Sequence, residues 1–291
     1  MTQPARESAP ALFTSISALR AYLAERRQAG SVGFVPTMGA LHDGHATLIR
    51  QARKRDVTVV VSIFVNPLQF DRKDDLDHYP RTLVADLALC GGNGVDAVFA
   101  PTPAEMYPEP ATMSISVGPL GDHLCGPSRP GHFAGVATVV MKLLQIVQPD
   151  RAYFGEKDAQ QLAVIRQLVA DFNVPVAIVG VPTVREADGL AMSSRNRRLT
   201  TKGRQSALAL VRALWTTVHA IQTGASTADA RAAGVATLPP DGPVTLDYLE
   251  VVDARTMQPV DRVSHPALVA GALWVDGVRL IDNMPVSPPA R

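Results

Sequence analysis

Residues 31–55 read SVGFVPTMGALHDGHATLIRQARKR, and their order decides the fold. The opening SVGFVP (31–36) is apolar on both faces, as a strand buried inside a parallel sheet must be. From Gly44 to Arg55 the period changes. Leu48, Ile49 and Ala52 fall on one face at helical spacing, while Arg50, Lys54 and Arg55 fall elsewhere. Between the two patterns lie Gly39 and Gly44, with His42 and His45 placed three apart in a chain of only seven histidines. Strand, glycine-bearing turn and helix, in that order, are the building unit of doubly wound sheets.

The same unit recurs downstream. VTVVVSIFV (57–65) is rich in β-branched residues and reads as a central strand. A helix follows over TLVADLALC (82–90), then a strand over DAVFAP (96–101). TMSISV (112–117) alternates like a half-exposed strand outside the main sheet. A helix over 134–148, strand RAYF (151–154), a helix over 158–172 and strand VAIVGV (176–181) complete the series. This alternation predicts an α/β fold, a doubly wound, Rossmann-like parallel sheet with right-handed crossovers. After Val184 the style changes. A long amphipathic helix (202–223) and the small-residue stretch GASTADARAAG (224–234) lead to VTLDYLEVVDA, ALVAGALWV and VRLIDNM. The last two are joined by Asp276-Gly277, a hairpin signal. A second, smaller α+β C-terminal domain is expected, with the boundary near 183, so that 1–183 and 184–291 are the two domains.

Bulk properties narrow the class. At 291 residues the chain exceeds the usual reach of one hydrophobic core, and 46% hydrophobic residues suffice to bury a large one. No apolar run reaches the roughly 18 to 20 residues of a membrane span. The start, MTQPARESAP, lacks a basic patch followed by an apolar block, so no secretory signal is expected and the tail reads as disordered. Two cysteines, Cys90 and Cys125, fit a reducing cytoplasm better than a disulfide framework. A formal net charge of +1, from 28 basic and 27 acidic residues, gives no electrostatic reason for nucleic-acid binding.

The loop 38–45 follows the carboxyl end of a strand, where doubly wound sheets bind ligands. The helix behind it presents unpaired N–H groups and a positive dipole end to an anion. Either histidine alone is accounted for by a polar helix start. The pair, with this glycine placement, points to imidazoles that hydrogen-bond phosphate oxygens. Zinc requires a nearby third ligand, which His42 and His45 lack. Neither Gly-x-Gly-x-x-Gly nor a Walker Gly-Lys-Ser/Thr occurs here. Two distant stretches also suit phosphates. YFGEKDAQQ (153–161) offers Lys157 after a strand, and LAMSSRNRRL (190–199) offers Ser193, Ser194 and Arg195. Each alone reads equally as a helix cap with a solvated charge. Asp86 is a candidate metal ligand.

The His-x-Gly-His loop with a later serine-rich basic loop resembles the nucleotidylyltransferase superfamily, which includes the HIGH-type aminoacyl-tRNA synthetases. PTMGALHDGHATLI, IFVNPLQF, YPRT, RPGHFAGVATVV, YFGEKDAQQ and VREADGLAMSSRNRRL, in order and spacing, resemble the pantothenate synthetase (pantoate–β-alanine ligase) family over roughly residues 12–200. That resemblance implies a two-step reaction. Pantoate's carboxylate attacks the α-phosphate of ATP to give pantoyl adenylate and pyrophosphate, and the amine of β-alanine then displaces AMP. It assigns Met38, Gly39, Ala40, Leu41, His42, Asp43, Gly44 and His45 to ATP, with His45 as proton donor. Gly155, Glu156, Lys157 and Asp158 form a second ATP stretch, and Val184, Met192, Ser193, Ser194 and Arg195 a third. His45, His42, Lys157, Ser193 and Arg195 are the implied catalytic set. Gln69 and Gln161 would hold pantoate, with Asn66 and Arg129 as further candidates. Mg2+ on the triphosphate, a homodimer, and a nucleotide- and pantoate-binding domain with a C-terminal lid are also implied.

Rival readings remain at this level. Another small-molecule adenylyl- or cytidylyltransferase would share the first chemistry, and a nucleotide-binding regulatory module would need no turnover. A tRNA-charging enzyme is disfavoured, because no anticodon-reading module or basic face is evident.

Overall fold

The computed structural model describes residues 9–109, 113–240 and 242–288. Residues 1–8 of the N-terminal tail, and Thr112 of the expected 112–117 strand, lie outside them. The chain folds as two compact units. One comprises 1–117, 129–156 and 164–182; the other comprises 118–128, 157–163 and 183–291. The units therefore do not follow a single cut in the chain.

The first unit carries strands β1 (Ala11–Phe13), β2 (Val32–Thr37), β3 (Thr58–Ile63), β4 (Ala97–Phe99), β5 (Arg151–Gly155) and β6 (Ala177–Val181). All pair parallel, in the order β1-β4-β3-β2-β5-β6. Helices α1 (Ile16–Arg26), α2 (Asp43–Arg53), α3 (Lys73–Asp77), α4 (Leu83–Gly92) and α5 (Pro103–Met106) lie in the connections between β1 and the segment after β4. The chain then passes through the single turn α6 (Cys125–Ser128), helix α7 (His132–Val147), β5, and α8 (Ala159–Asp171) to β6. Winding proceeds outward from β2 through β3 to β4, then restarts on β2's other side with β5. The β2/β5 boundary is thus the topological switch point, and the crevice beyond its carboxyl ends is where such sheets bind ligands. Valines of β3 and Phe34 of β2 are fully buried, as the two-sided apolar pattern requires.

One expectation about this unit changes, and two elements went unread. β1 and α1 were not legible before residue 31. The alternation of TMSISV does not mark a strand: residues 113–117 are irregular, and Ile115 N–H donates instead to Thr138 Oγ1 on α7 at 3.3 Å. Ile115 and Val117 are half-buried while Met113, Ser114 and Ser116 are exposed, so the alternation reports burial without sheet pairing.

The second unit is a three-stranded antiparallel sheet of β7 (Val244–Asp253), β8 (Ala267–Val275) and β9 (Val278–Val286), packed with α9 (Thr201–Gln222) and α10 (Thr227–Val235). Its core interleaves Leu210, Leu214 and Val218 with Leu249, Val269 and Leu273. α9 lies close on β8: a Cβ at Gly271 would stand 2.8 Å from Leu210 Cδ1. Asp276 (φ +53°) and Gly277 (φ +73°) make the expected two-residue turn. The Asp276 carboxylate also reaches the start of α9, accepting from Thr200 N at 3.1 Å and Thr200 Oγ1 at 2.8 Å.

Candidate active site

The loop leaving β2 is built by neighbours of its own unit. Thr37 Oγ1 donates to Ser62 O at 2.7 Å and accepts Gly39 N–H at 3.1 Å, which turns the chain off the strand. Gly39 (φ +85°) and Ala40 (φ +51°) are both left-handed. At Gly39 a Cβ would come within 3.0 Å of Asp86 Oδ2 and of Ile63 Cγ2, so the position needs glycine twice over. Asp86, on α4 and 2% exposed, accepts Ala40 N–H at 3.0 Å and Leu41 N–H at 2.8 Å. Thr82 Oγ1 donates to the same carboxylate at 3.2 Å. Asp86 thus braces the loop from within. This replaces its reading as a metal ligand: its oxygens already face loop N–H donors.

α2 begins with a capping box made entirely of histidine. The His42 ring accepts Gly44 N–H at 3.1 Å through Nδ1, and the His45 ring accepts His42 N–H at 3.2 Å through Nδ1. The rings lie 4.1 Å apart, tilted by 45°. A backbone N–H can only donate, so each Nδ1 must present its lone pair. Each neutral ring consequently carries its proton on Nε2. Not all N–H groups of this helix start are open to an anion, since Gly44's is held by His42.

The NPLQF turn adjoins this loop. Gln69 Nε2 donates to Met38 Sδ at 3.0 Å, which brings together two residues expected at the site from separate motifs. Asn66, 1% exposed, donates to Gln69 Oε1 and Gly135 O, both at 3.2 Å, and accepts Tyr107 Oη at 2.9 Å. Burial holds the Tyr107 hydroxyl up to about 12. His132 Nδ1 lies 2.8 Å from Gln69 O, which only accepts, so His132 donates there and its Nε2 accepts Arg129 Nη1 at 3.0 Å. Arg129 Nη2 also reaches Gln69 O at 3.4 Å. Gly155 ends β5, next to β2 in the sheet, and Glu156 opens the 3-10 turn that follows. Spacing alone did not single out Tyr107 or His132. Tyr107 lies outside the quoted blocks and His132 inside RPGHFAGVATVV, but both reach Asn66 or Gln69 only through the fold.

In the second unit, Lys157 and Ser193 line one small cavity of about 20 Å³ together with Asn196, Leu210, Arg279 and Asp282. Asn283 Nδ2 donates to Lys157 O at 2.9 Å, and Lys157 Nζ lies 3.8 Å from Asp158 Oδ1. Val184 and Met192 close a short antiparallel turn, Met192 N to Val184 O at 2.9 Å. Ser193 Oγ then accepts Arg195 N–H at 3.3 Å, capping a 3-10 turn over Ser194–Arg198. Of the two adjacent glutamines, Gln160 is the structural one. Its amide donates to Leu120 O and His123 O at 2.8 Å and accepts Cys125 N–H at 3.0 Å, whereas Gln161 stays half-buried in the first turns of α8. Among the described residues, no group of three His, Cys, Asp or Glu could hold a metal ion, and no helix is long and apolar enough to cross a membrane.

These features define a doubly wound α/β protein whose switch-point loop is fastened by a pair of neutral imidazoles. A family model described as pantoate-beta-alanine ligase matches residues 11–285, and the chain belongs to that family. A bifunctional pantoate ligase/cytidylate kinase of Synechococcus elongatus is 55% identical over 274 residues, covering 93% of this chain and 52% of that protein. The chain therefore spans about half the length of such bifunctional relatives. It matches the pantothenate synthetase of Cereibacter sphaeroides at 50% identity, over 95% of this chain and all of that one. The crystal structure of pantothenate synthetase from Thermus thermophilus superposes with a TM-score of 0.90 at 46% identity, covering 96% of this chain and 100% of that one. That of Francisella tularensis pantoate-beta-alanine ligase, complexed with beta-gamma ATP and beta-alanine, gives 0.77 at 34% identity, covering 95% and 97%.

Proposed function

We propose that this chain is an ATP-dependent ligase that condenses pantoate with β-alanine to pantothenate, releasing AMP and pyrophosphate. The observation that carries the reading is the histidine capping box at the carboxyl end of β2, in a chain of this family. A carboxylate is a poor acyl donor until its oxygen is tied to a good leaving group. In the first step a pantoate carboxylate oxygen bonds to the α-phosphorus of ATP, and the bond from that phosphorus to the bridging oxygen breaks as pyrophosphate leaves. In the second, the β-alanine nitrogen bonds to the acyl carbon, the acyl carbon–oxygen bond breaks, AMP leaves and the amine gives up a proton.

The residues divide the work by charge. His42 and His45 offer Nε2–H donors on the helix N-terminus, where a leaving pyrophosphate gathers charge. Met38, Gly39, Ala40, Leu41, Asp43 and Gly44 form the rest of the ATP loop, joined by Gly155, Glu156, Lys157, Asp158, Val184, Met192, Ser193, Ser194 and Arg195. Gln69 and Gln161, with Asn66 and Arg129, hold pantoate. Amides can bond hydroxyl and carboxylate oxygens without pairing so strongly that the nucleophile is quenched. Mg2+ would arrive on the triphosphate and neutralise it. A chain without a dedicated three-ligand cluster among its described residues fits an ion that keeps mostly phosphate and water ligands. The same reading makes 1–183 the nucleotide- and pantoate-binding domain, 184–291 its lid, and the protein a cytoplasmic homodimer.

Exchange of labelled pyrophosphate into ATP tests this directly. Exchange that requires pantoate but not β-alanine is expected. Exchange that requires β-alanine, or that ignores pantoate, would overturn the adenylate route.

A further inference from the structure

The serine-rich turn of the second unit depends on one carboxylate that the catalytic reading leaves out. Glu186 closes the base of the preceding turn through its backbone, with Glu186 N to Leu190 O at 2.8 Å and Gly189 N to Glu186 O at 2.9 Å. Both of its carboxylate oxygens are also committed. Oε1 accepts Asn196 Nδ2 at 2.7 Å, and Oε2 accepts Arg204 Nη2 from α9 at 2.8 Å. Asn196 lies inside the 3-10 turn that Ser193 caps, and its Nδ2 also donates to Ala191 O at 3.1 Å. With both amide protons aimed at oxygens, the side chain has a single orientation. Its Oδ1 is then left buried with no partner among the described residues. An amide oriented at that expense, held by a carboxylate that a guanidinium fixes in turn, is a brace between α9 and the turn carrying Ser193, Ser194 and Arg195. Charge-assisted bonds of this kind are the stronger class.

We propose that Glu186 is a positioning residue for nucleotide use: it sets the 193–198 turn through Asn196, with Arg204 as its anchor. The assignment rests on the ligase reading for its kinetic consequence, though not for its structural one. Glu186→Gln offers one acceptor where the carboxylate offers two, so one of the two donors loses its bond. The ATP KM in pantoate-dependent pyrophosphate exchange should rise about tenfold, the scale of one charge-assisted hydrogen bond. The pantoate KM should stay near wild type, while the unfolding midpoint falls modestly, as the loss of one native-state bond requires. Amide hydrogen exchange at Arg195 and Asn196 should quicken by about the same factor, while the middle of α9 stays protected. Asp188→Asn is the control: Asp188 shares Arg204 and accepts Leu190 N–H at 3.2 Å but does not touch Asn196, so it should move both readouts far less than Glu186→Gln. If Glu186→Gln leaves turn exchange unaltered, or Asp188→Asn reproduces its effects, the brace is refuted. A wild-type protein with no pyrophosphate exchange would sink the ligase reading instead, and hydrogen exchange would still decide the role of Glu186.

Discussion

Asp86 Oδ1 accepts the backbone N–H of Leu41 at 2.8 Å, across 45 residues of sequence and inside a buried site. A left-handed alanine and a helix-borne carboxylate thereby set where the His-x-Gly-His loop leaves the sheet. Asp86→Asn would turn one accepting oxygen into an N–H donor facing another donor. Roughly 1.5–3 kcal/mol of stability should be lost, the range for hydrogen bonds to charged groups. Adenylation should fall in parallel. Chemical unfolding beside pyrophosphate exchange checks both, and a variant with wild-type stability would refute the brace.

His45 permits a separation of roles. His45→Ala removes the acceptor for His42 N–H and the ring's donor together, so both folding and rate should suffer. Glutamine at this helical position can still close a capping box. His45→Gln should therefore keep its melting temperature near wild type and lose much of its single-turnover adenylation. Losing one donor aimed at developing charge typically costs about 100- to 1,000-fold in rate, and the alanine variant should reach that range while the glutamine variant falls short of it. Unchanged adenylation in both variants would end the catalytic assignment.

Gly135 on α7 touches the NPLQF turn where no side chain fits. A Cβ there would stand 2.1 Å from Leu68 O and 2.8 Å from Gln69 Cα. Gly135→Ala must push the Gln69 backbone aside. Overpacking of this sort costs roughly 1–3 kcal/mol, and the KM for pantoate should rise with it. Steady-state kinetics with pantoate varied, together with a melting curve, tests the pair of effects. A pantoate KM at the wild-type value would remove Gln69 from that substrate's site.

Two buried protons near the candidate site contribute to alkaline stability. The Cys90 thiol is pushed up from 9.0 to about 12 by burial and then by the charge of Asp86, and the Tyr107 hydroxyl from 10.0 to about 12 by burial. Both stay protonated in the folded chain after the unfolded chain has ionised. Their contribution is intact at neutral pH and is lost as pH climbs from 9.0 for the thiol, or 10.0 for the phenol, toward about 12. Denaturation midpoints followed across that window should fall, and Tyr107→Phe should flatten the upper part. An identical slope in that variant would contradict the burial of the hydroxyl.

The sheet was legible because its strands are apolar on two faces and its helices on one, and those periods survive in any context. The chemistry of the β2 loop was legible for a related reason: glycines and histidines at fixed offsets act within a few residues. Interactions that cross the fold left no such trace. Asp86 looks like any acidic residue on a helix, and Gln160 and Gln161 are indistinguishable until Leu120, His123 and Cys125 surround the first. Helix α10 was passed over as a small-residue stretch, although Ser226 three residues before Asp229 was a usable start signal; Ser226 Oγ does accept Asp229 N–H at 3.1 Å. β1 and α1 lacked a long periodic run, and a three-residue edge strand carries too little pattern to read.

A serine at 42 and a glutamate at 45 would close the α2 cap as well as the histidines do, since that pairing is the commonest form of the box. Folding alone gives no reason to keep two imidazoles here. In a randomised library sorted only for expression or thermal resistance, positions 42 and 45 should drift toward cheap caps such as His42→Ser and His45→Glu. Sorted for growth without supplied pantothenate, the same library should hold both rings. The divergence between those two outcomes at a single helical turn would show which residues natural selection retains for chemistry and which for shape.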